Sequence, residues 1–144
     1  MVEIEPLTPS DLAPVVRLWA DLEGLTLRDA DSPAALARYL TRNPGLSFVA
    51  RSEGDIVAAV ICGHDGRRGY LHHLAVHPDH RRRGLGRRLA ERCLAALLEE
   101  DIEKCHLFVR SENERARAFW RSLGWTERDD IVTLSKNQSS SANA

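Results

Sequence analysis

Apolar residues recur at helical spacing in some stretches of this chain and alternate with polar ones in others. Leu12, Val15, Val16, Trp19 and Leu22 fall three or four apart, which predicts an amphipathic helix. Thr8-Pro9-Ser10-Asp11 starts it: Thr8 can cap, Pro9 suits the first helical position, and Asp11 stands where a capping-box acid belongs. Gly24 is its expected stop. Ser32-Pro33 repeats the cap-then-proline device ahead of Leu36, Tyr39 and Leu40, and Asn43-Pro44-Gly45 ends that second helix. Leu85, Leu89, Cys93, Leu94, Leu97 and Leu98 make the clearest amphipathic helix, and Ala116, Phe119, Trp120 and Leu123 mark a last one, opened by a capping box at Ser111-Glu112-Asn113-Glu114 and closed by Gly124.

Strand character appears at Val2–Leu7, Leu46–Ala50, Asp55–Cys62, Tyr70–His77 and Cys105–Val109, with one or two closing strands expected over Trp125–Ser135. Val2–Leu7 reads as an edge strand, and Glu53-Gly54-Asp55 as the turn of a hairpin. The order is β-α-α-β-β-β-α-β-α-β. This α/β pattern implies a mixed sheet with helices on both faces and a single domain over residues 1–136. Residues 137–144, small and polar, are expected to be a disordered tail.

Composition narrows the function classes. A net charge of −1 across 144 residues gives no global attraction to nucleic acid or membrane, so any cationic patch is local. The longest apolar run, Ile56–Cys62, is too short to span a bilayer, and the N-terminus lacks a signal-peptide pattern, which points to a cytoplasmic protein. Cys62, Cys93 and Cys105 are odd in number and set among apolar neighbours, as buried free thiols would be. No spacing of His, Cys, Asp or Glu matches a metal site, His77-Pro78-Asp79-His80 included.

The most informative stretch is Tyr70–Leu89, YLHHLAVHPDHRRRGLGRRL. A strand runs into Arg81-Arg82-Arg83-Gly84-Leu85-Gly86 and straight on into a helix, with Arg87 and Arg88 in its first turn. Two glycines let main-chain N–H groups converge on an anion at the positive end of a helix dipole, which makes this turn a candidate pyrophosphate cradle. Leu89 stands where a dinucleotide fingerprint needs a third glycine, and no Gly-Lys-Ser/Thr of a P-loop is present.

The R-x-x-G-x-G pattern from Arg81 to Gly86 resembles the central signature of the GNAT superfamily of acetyl-CoA-dependent N-acyltransferases. Asn113-x-x-Ala116-x-x-x-Trp120-x-x-x-Gly124-Trp125 is similar to that family's N-x-x-A-x-x-x-Y-x-x-x-G-F/Y segment. The His64–Gly69 turn also resembles one in small bacterial members. The resemblance implies a GNAT fold, with a mostly antiparallel central sheet whose strands at Tyr70–His77 and Cys105–Val109 splay apart. It implies acetyl-CoA as co-substrate and no metal: Leu74, Ala75 and Val76 pairing with pantetheine, and the amides from Arg82 through Arg83, Gly84, Leu85 and Gly86 to Arg87 holding pyrophosphate. An arginine of the cluster, Arg81 included, would meet the nucleotide phosphates, and Asn113, Ala116, Phe119 and Trp120 would border the cofactor.

Acetyl transfer needs a neutral amine, whereas an alkylammonium holds its proton to a pKa of ~10.4. His72 is the candidate base, because Leu71-His72-His73-Leu74-Ala75-Val76-His77 is close to a run in arylalkylamine acetyltransferases; the alternative is a histidine that only packs. Strand alternation puts His72 and His73 on opposite faces. The family's tyrosine acid is replaced by Trp120, whose indole N–H does not deliver a proton. Three readings stay open: release of unprotonated thiolate, proton delivery by water or by Tyr70 or Tyr39, and a CoA-binding sensor with little activity. Asp65, with Asp29, Asp31 or Glu23, is the candidate attractor of a cationic amine. The implied partner is an amine of a small molecule, peptide or protein, not nucleic acid or membrane; a homodimer is compatible with the family.

Overall fold

The computed structural model describes residues 1–22 and 25–144, so Gly24 as helix stop and Glu23 as amine attractor lie outside the described residues. The chain forms two compact units, Met1–Leu107 and Phe108–Ala144. No helix among the described residues is long and apolar enough to cross a membrane.

The first unit runs β1 (Val2–Pro6), α1 (Leu12–Ala20), α2 (Pro33–Arg42), β2 (Phe48–Ser52), β3 (Asp55–His64), β4 (Gly69–Val76), α3 (Leu85–Glu99) and β5 (Cys105–His106). Asp11 takes the capping-box place its sequence implies: its Oδ2 accepts from the Thr8 N–H at 2.9 Å, whereas the Thr8 side chain caps no helix N–H. Pro9–Asp11, however, is a 3₁₀ turn, and the α-helix starts only at Leu12. Pro14 is the reason. In an α-helix begun at Pro9 its ring would press on the carbonyl of Ser10, whereas in the first turn of a helix begun at Leu12 its missing N–H has no partner to lose. α2 starts as expected, with Ala35 N–H donating to Ser32 Oγ at 3.2 Å.

The sheet order is β1-β2-β3-β4-β5, antiparallel through β4 and parallel between β4 and β5. Glu53 and Gly54, with φ of 51° and 87°, form the two-residue turn whose twist matches a hairpin. Val15, Leu18 and Trp19 of α1 and Leu36 and Leu40 of α2 pack against Val49, Ala59, Ile61 and Ala75 on one sheet face. α3 packs against β2, β3 and β4 on the other face. Fit there is close: a Cβ on Gly69 would stand 2.5 Å from Leu97 Cδ1.

One irregularity shapes the centre of the sheet. Ala59 pairs with Ala75 and Ile61 with His72, so one residue of β3 is matched by two of β4, and His73 and Leu74 have no register partner. His73 sits in the left-handed region at φ 54°, which marks the bulge. Residues opposite one another share a face. His72 and Ala75, opposite Ile61 and Ala59, therefore both face α1 and α2, although three positions apart. The bulge breaks the in/out alternation along β4, and because the His72 ring meets Tyr39 of α2 and the His73 ring meets Trp19 of α1, it corrects the expectation that the two histidines lie on opposite faces.

β5 is also shorter than its sequence pattern. It pairs with β4 only at Gly69↔Cys105 and Tyr70↔His106, and does not run on to Val109. In the second unit, α4 spans Glu114–Ser122. Its cap is Asn113, whose Oδ1 accepts from Ala116 N–H at 3.1 Å, rather than a box begun at Ser111. Gly124 ends it at φ 90°: its N–H donates to the Arg121 carbonyl and that of Trp125 to Trp120, with the Trp120 and Trp125 rings 5.1 Å apart. The closing strands expected over Trp125–Ser135 do not form. Instead Glu127 takes bonds from Arg117 and Arg121, and Arg128 pairs with Asp130, while Ile131, Val132 and Leu134 stay exposed.

Candidate active site

The strand-to-helix passage is built as its glycines imply. After β4 a 3₁₀ turn spans Pro78–His80, and Gly84, at φ 74°, caps α3. Arg82 also lies in the left-handed region, at φ 62°. Among the described residues, the first amide of the Arg82–Arg88 run to find a backbone acceptor is that of Arg88, on the Gly84 carbonyl at 3.0 Å. The amides before it share the positive end of a 15-residue helix. A Cβ on Gly84 would meet no atom within 4 Å, so the space in front of the cap is open.

The arginines divide. Arg81, Arg82, Arg83, Arg87 and Arg88 are all exposed. Arg81 turns back along the chain, its Nε donating to the Val76 carbonyl at 3.1 Å. Arg87 pairs with Glu91 at 2.9 Å, one helical turn on. Among the described residues Arg82, Arg83 and Arg88 make no ion pair.

The second element is the edge of β4 that faces away from β3. No strand pairs with it beyond Tyr70 among the described residues. His77 N–H bonds the Val57 carbonyl at 2.7 Å, and antiparallel alternation then directs the N–H and C=O of Val76 to the open edge and those of Ala75 to Ala59. Of the three residues expected to pair with pantetheine, Ala75 is thus engaged within the sheet. Leu74, in the bulge, and Val76 flank the gap. Unpaired main-chain groups on an interior strand are costly unless water or a ligand bonds them.

On the α1/α2 face, the side chains around the bulge form a polar group inside an apolar layer. The His73 ring lies 4.9 Å from that of Trp19, and its Nε2 donates to Asp31 Oδ1 at 3.0 Å. Asp31 is nearly buried, and its second oxygen accepts from Arg28 N–H at 2.9 Å. His72 stacks on Tyr70 and meets Tyr39 edge-on, with ring centroids 6.4 and 6.3 Å away. Burial first, and then the neighbouring His73, hold its pKa below the ordinary imidazole value, while Asp31 acts in the opposite direction. His72 is therefore neutral at pH 7, able to accept a proton. Among the described residues the buried Tyr39 hydroxyl and Trp19 indole N–H have no hydrogen-bond partner, and burial raises the Tyr39 pKa.

Asp65 sits in the turn between β3 and β4. Its Oδ1 accepts the N–H groups of Arg67 and Arg68 at 2.8 Å each, and these bonds lower its pKa. Its carboxylate thus organises the turn. Asn113, Ala116, Phe119 and Trp120 belong to the second unit: the Asn113 carbonyl oxygen caps α4, and the Phe119 and Trp120 rings meet edge-on at 5.0 Å. The three free thiols, distant in sequence, converge. The neighbouring Cys62 thiol and burial raise the Cys93 pKa, and burial pushes Cys105 up to about 12. No group of three or more potential metal ligands occurs among the described residues. The His73–Asp31 pair and the Arg81 bond to Val76 are what the sequence reading missed. Neither has a local signal, since the first depends on a bulge at a non-glycine residue and the second on a side chain folding back.

Comparison with known proteins agrees with this geometry. The profile of the acetyltransferase (GNAT) family matches residues 14–125. An acetyltransferase of Pectobacterium atrosepticum is 35% identical over 136 residues, 94% of each chain. The ribosomal-protein-S18-alanine N-acetyltransferase of Escherichia coli superposes with a TM-score of 0.71 at 26% identity, covering 89% of this chain and 79% of that one. An N-acetyltransferase of Thermoplasma acidophilum, solved in complex with coenzyme A, has a TM-score of 0.79 at 17% identity, with coverage of 91% and 93%. A bulged β4 running into a glycine-capped helix, together with a family match over most of its length, makes this chain a member of the GNAT family and an N-acetyltransferase.

Proposed function

We propose that the protein transfers an acetyl group from acetyl-CoA to a primary amine, of a small molecule or of a peptide, within one domain spanning residues 1–136. The observation that carries this reading is continuous: the edge of β4 at Leu74 and Val76, which no strand covers among the described residues and where the Val76 carbonyl holds only the Arg81 side chain, leads directly to the acceptor-free amides ahead of α3. One suits the amides of a pantetheine arm and the other a diphosphate. Arg82, Arg83 and Arg88 add charge for the nucleotide phosphates. The Thermoplasma relative's complex with coenzyme A supports the co-substrate, and the Escherichia coli relative's action on an alanine of a ribosomal protein supports an amine acceptor.

Acetyl-CoA supplies a thioester whose carbonyl carbon a neutral amine attacks, forming the amide C–N bond as the C–S bond breaks. His72, neutral and facing α1 and α2, takes the proton that the amine loses. Trp120 donates no proton, so the thiolate leaves without the acid that a tyrosine would supply. The free thiol of the departing CoA gives the assay. Thiol release with acetyl-CoA is expected with at least one member of a panel of alkylamines, aminoglycosides and peptides bearing N-terminal alanine. Binding of acetyl-CoA by calorimetry with no thiol release across the panel would overturn the amine-acceptor reading. The free cysteines support a reducing, cytoplasmic setting.

A further inference from the structure

We infer that His73, Asp31 and Trp19 act together as a pin that holds the β4 bulge in register, and that His73 is thereby a positioning residue for the cofactor edge. This rests on the reading that Leu74 and Val76 receive acetyl-CoA.

His73 is the one β4 residue with left-handed backbone, φ 54°, a region that residues with a Cβ adopt only when their surroundings enforce it. Those surroundings are specific. The Trp19 indole, fully buried, stands against one side of the His73 ring at 4.9 Å, and the Asp31 carboxylate takes its Nε2–H at 3.0 Å. Asp31 is fixed in turn by the Arg28 amide and by the 3₁₀ turn Asp29–Asp31 just ahead of α2. The pin therefore ties β4 to both helices of that face. If it is released, the strand has an alternative without left-handed backbone: His73 and Leu74 slip into regular pairing with β3. Such a one-residue slip exchanges the faces of every residue beyond it. Val76 would then turn its N–H and C=O toward β3, and the edge would lose the Val76 N–H for the cofactor and the carbonyl that holds Arg81.

The residue at position 73 must tolerate left-handed backbone and donate to Asp31. Asparagine meets the first condition and keeps a shorter amide donor on the Asp31 side, and alanine offers neither.

The test uses the full-length protein in three variants, His73→Ala, His73→Asn and Asp31→Ala, with two measurements. The first is the HN–Hα coupling constant of residue 73 in ligand-free, isotopically labelled protein, which separates left-handed from extended backbone without any ligand. The second is the calorimetric Kd for CoA. The pin requires left-handed coupling in the wild type and in His73→Asn, and a shift toward the extended value in His73→Ala and Asp31→Ala. CoA binding is expected to weaken about tenfold in His73→Ala and about fivefold in Asp31→Ala, and to stay within about twofold in His73→Asn. A merely structural histidine would not be rescued by asparagine. Should His73→Ala fail to fold, Asp31→Ala, which keeps the ring and its Trp19 contact, carries both measurements. Left-handed coupling retained in Asp31→Ala, or CoA affinity unchanged in either disrupted variant, overturns the pin. A wild-type protein that takes up no CoA overturns the proposed co-substrate instead, and the coupling constant still decides the pin.

Discussion

Gly84→Ala separates backbone strain from ligand contact at the turn that the proposed function depends on. Gly84 has φ 74°, and the added methyl group would meet nothing within 4 Å in the ligand-free protein. The cost to the free protein is therefore conformational, about 1–2 kcal/mol for an L-residue in the left-handed region. That amounts to a few degrees of melting temperature in a domain of this size. Gly66, in the β3–β4 turn, has φ 92° and equally open surroundings, so Gly66→Ala is a control with the same strain away from the cradle. Thermal unfolding with and without CoA is the assay. At a CoA concentration of about 100 Kd, wild-type protein and Gly66→Ala should each gain about 2.7 kcal/mol. In Gly84→Ala the methyl group projects into the space where an anion would approach the backbone. A tenfold loss of affinity would cut the gain at the same concentration to about 1.4 kcal/mol. Equal CoA-induced stabilisation in the two variants would refute the argument that a ligand packs against the backbone at Gly84.

His72→Ala should lower turnover at least about tenfold with little change in acetyl-CoA affinity, the signature of a lost proton acceptor. Because burial depresses the His72 pKa, the base form persists to lower pH than for a free imidazole, so the acid limb of kcat/KM should lie below pH ~6.5. An acid limb above that value would remove the assignment. Trp120→Tyr should raise turnover by about tenfold, since a phenol can protonate a departing thiolate where an indole cannot; an unchanged rate would show that this proton is not limiting. Asp11, nearly buried, would have its pKa raised by burial alone, but bonds from Arg51 and Thr8 outweigh that and lower it. Its contribution to stability is therefore present above pH ~4 and is lost as the pH falls through the depressed folded value. Asp11→Asn should cost about 1.5–3 kcal/mol in urea unfolding at pH 7 and flatten the loss of stability below pH 4.

Much of the scaffold is legible in the sequence because it depends on local chemistry. Asp11 and Ser32 take the capping places their spacing says, Gly124 closes the last helix, and Glu53-Gly54 turns the hairpin, since each of these needs only a few neighbouring residues. The strand-glycine-turn-helix run was readable for the same reason. What was not legible depends on distant partners. His73 carries no mark of a bulge, because the usual sign of left-handed backbone is a glycine and here a tryptophan and an aspartate from two other elements enforce it. The two histidines consequently looked opposed when both rings in fact meet the helices of one face. Trp125–Ser135 has strand-like residues but a strand needs a partner, and Arg117 and Arg121 fasten Glu127 instead. Pro14 was visible, and its effect on where α1 could begin was a matter of sterics that periodicity ignores.

The convergence of Cys62, Cys93 and Cys105 has a consequence for an enzyme that handles an activated acyl donor. Thiolates exchange readily with thioesters, so a reactive sulfur on the protein would divert acetyl groups onto the enzyme itself. Burial keeps the Cys93 and Cys105 thiols protonated and shuts Cys62 away from any acyl donor, which makes all three bystanders. The same interior that fills the space beneath α3 thereby guards against self-acylation, and the acyl group is left for the nitrogen nucleophile.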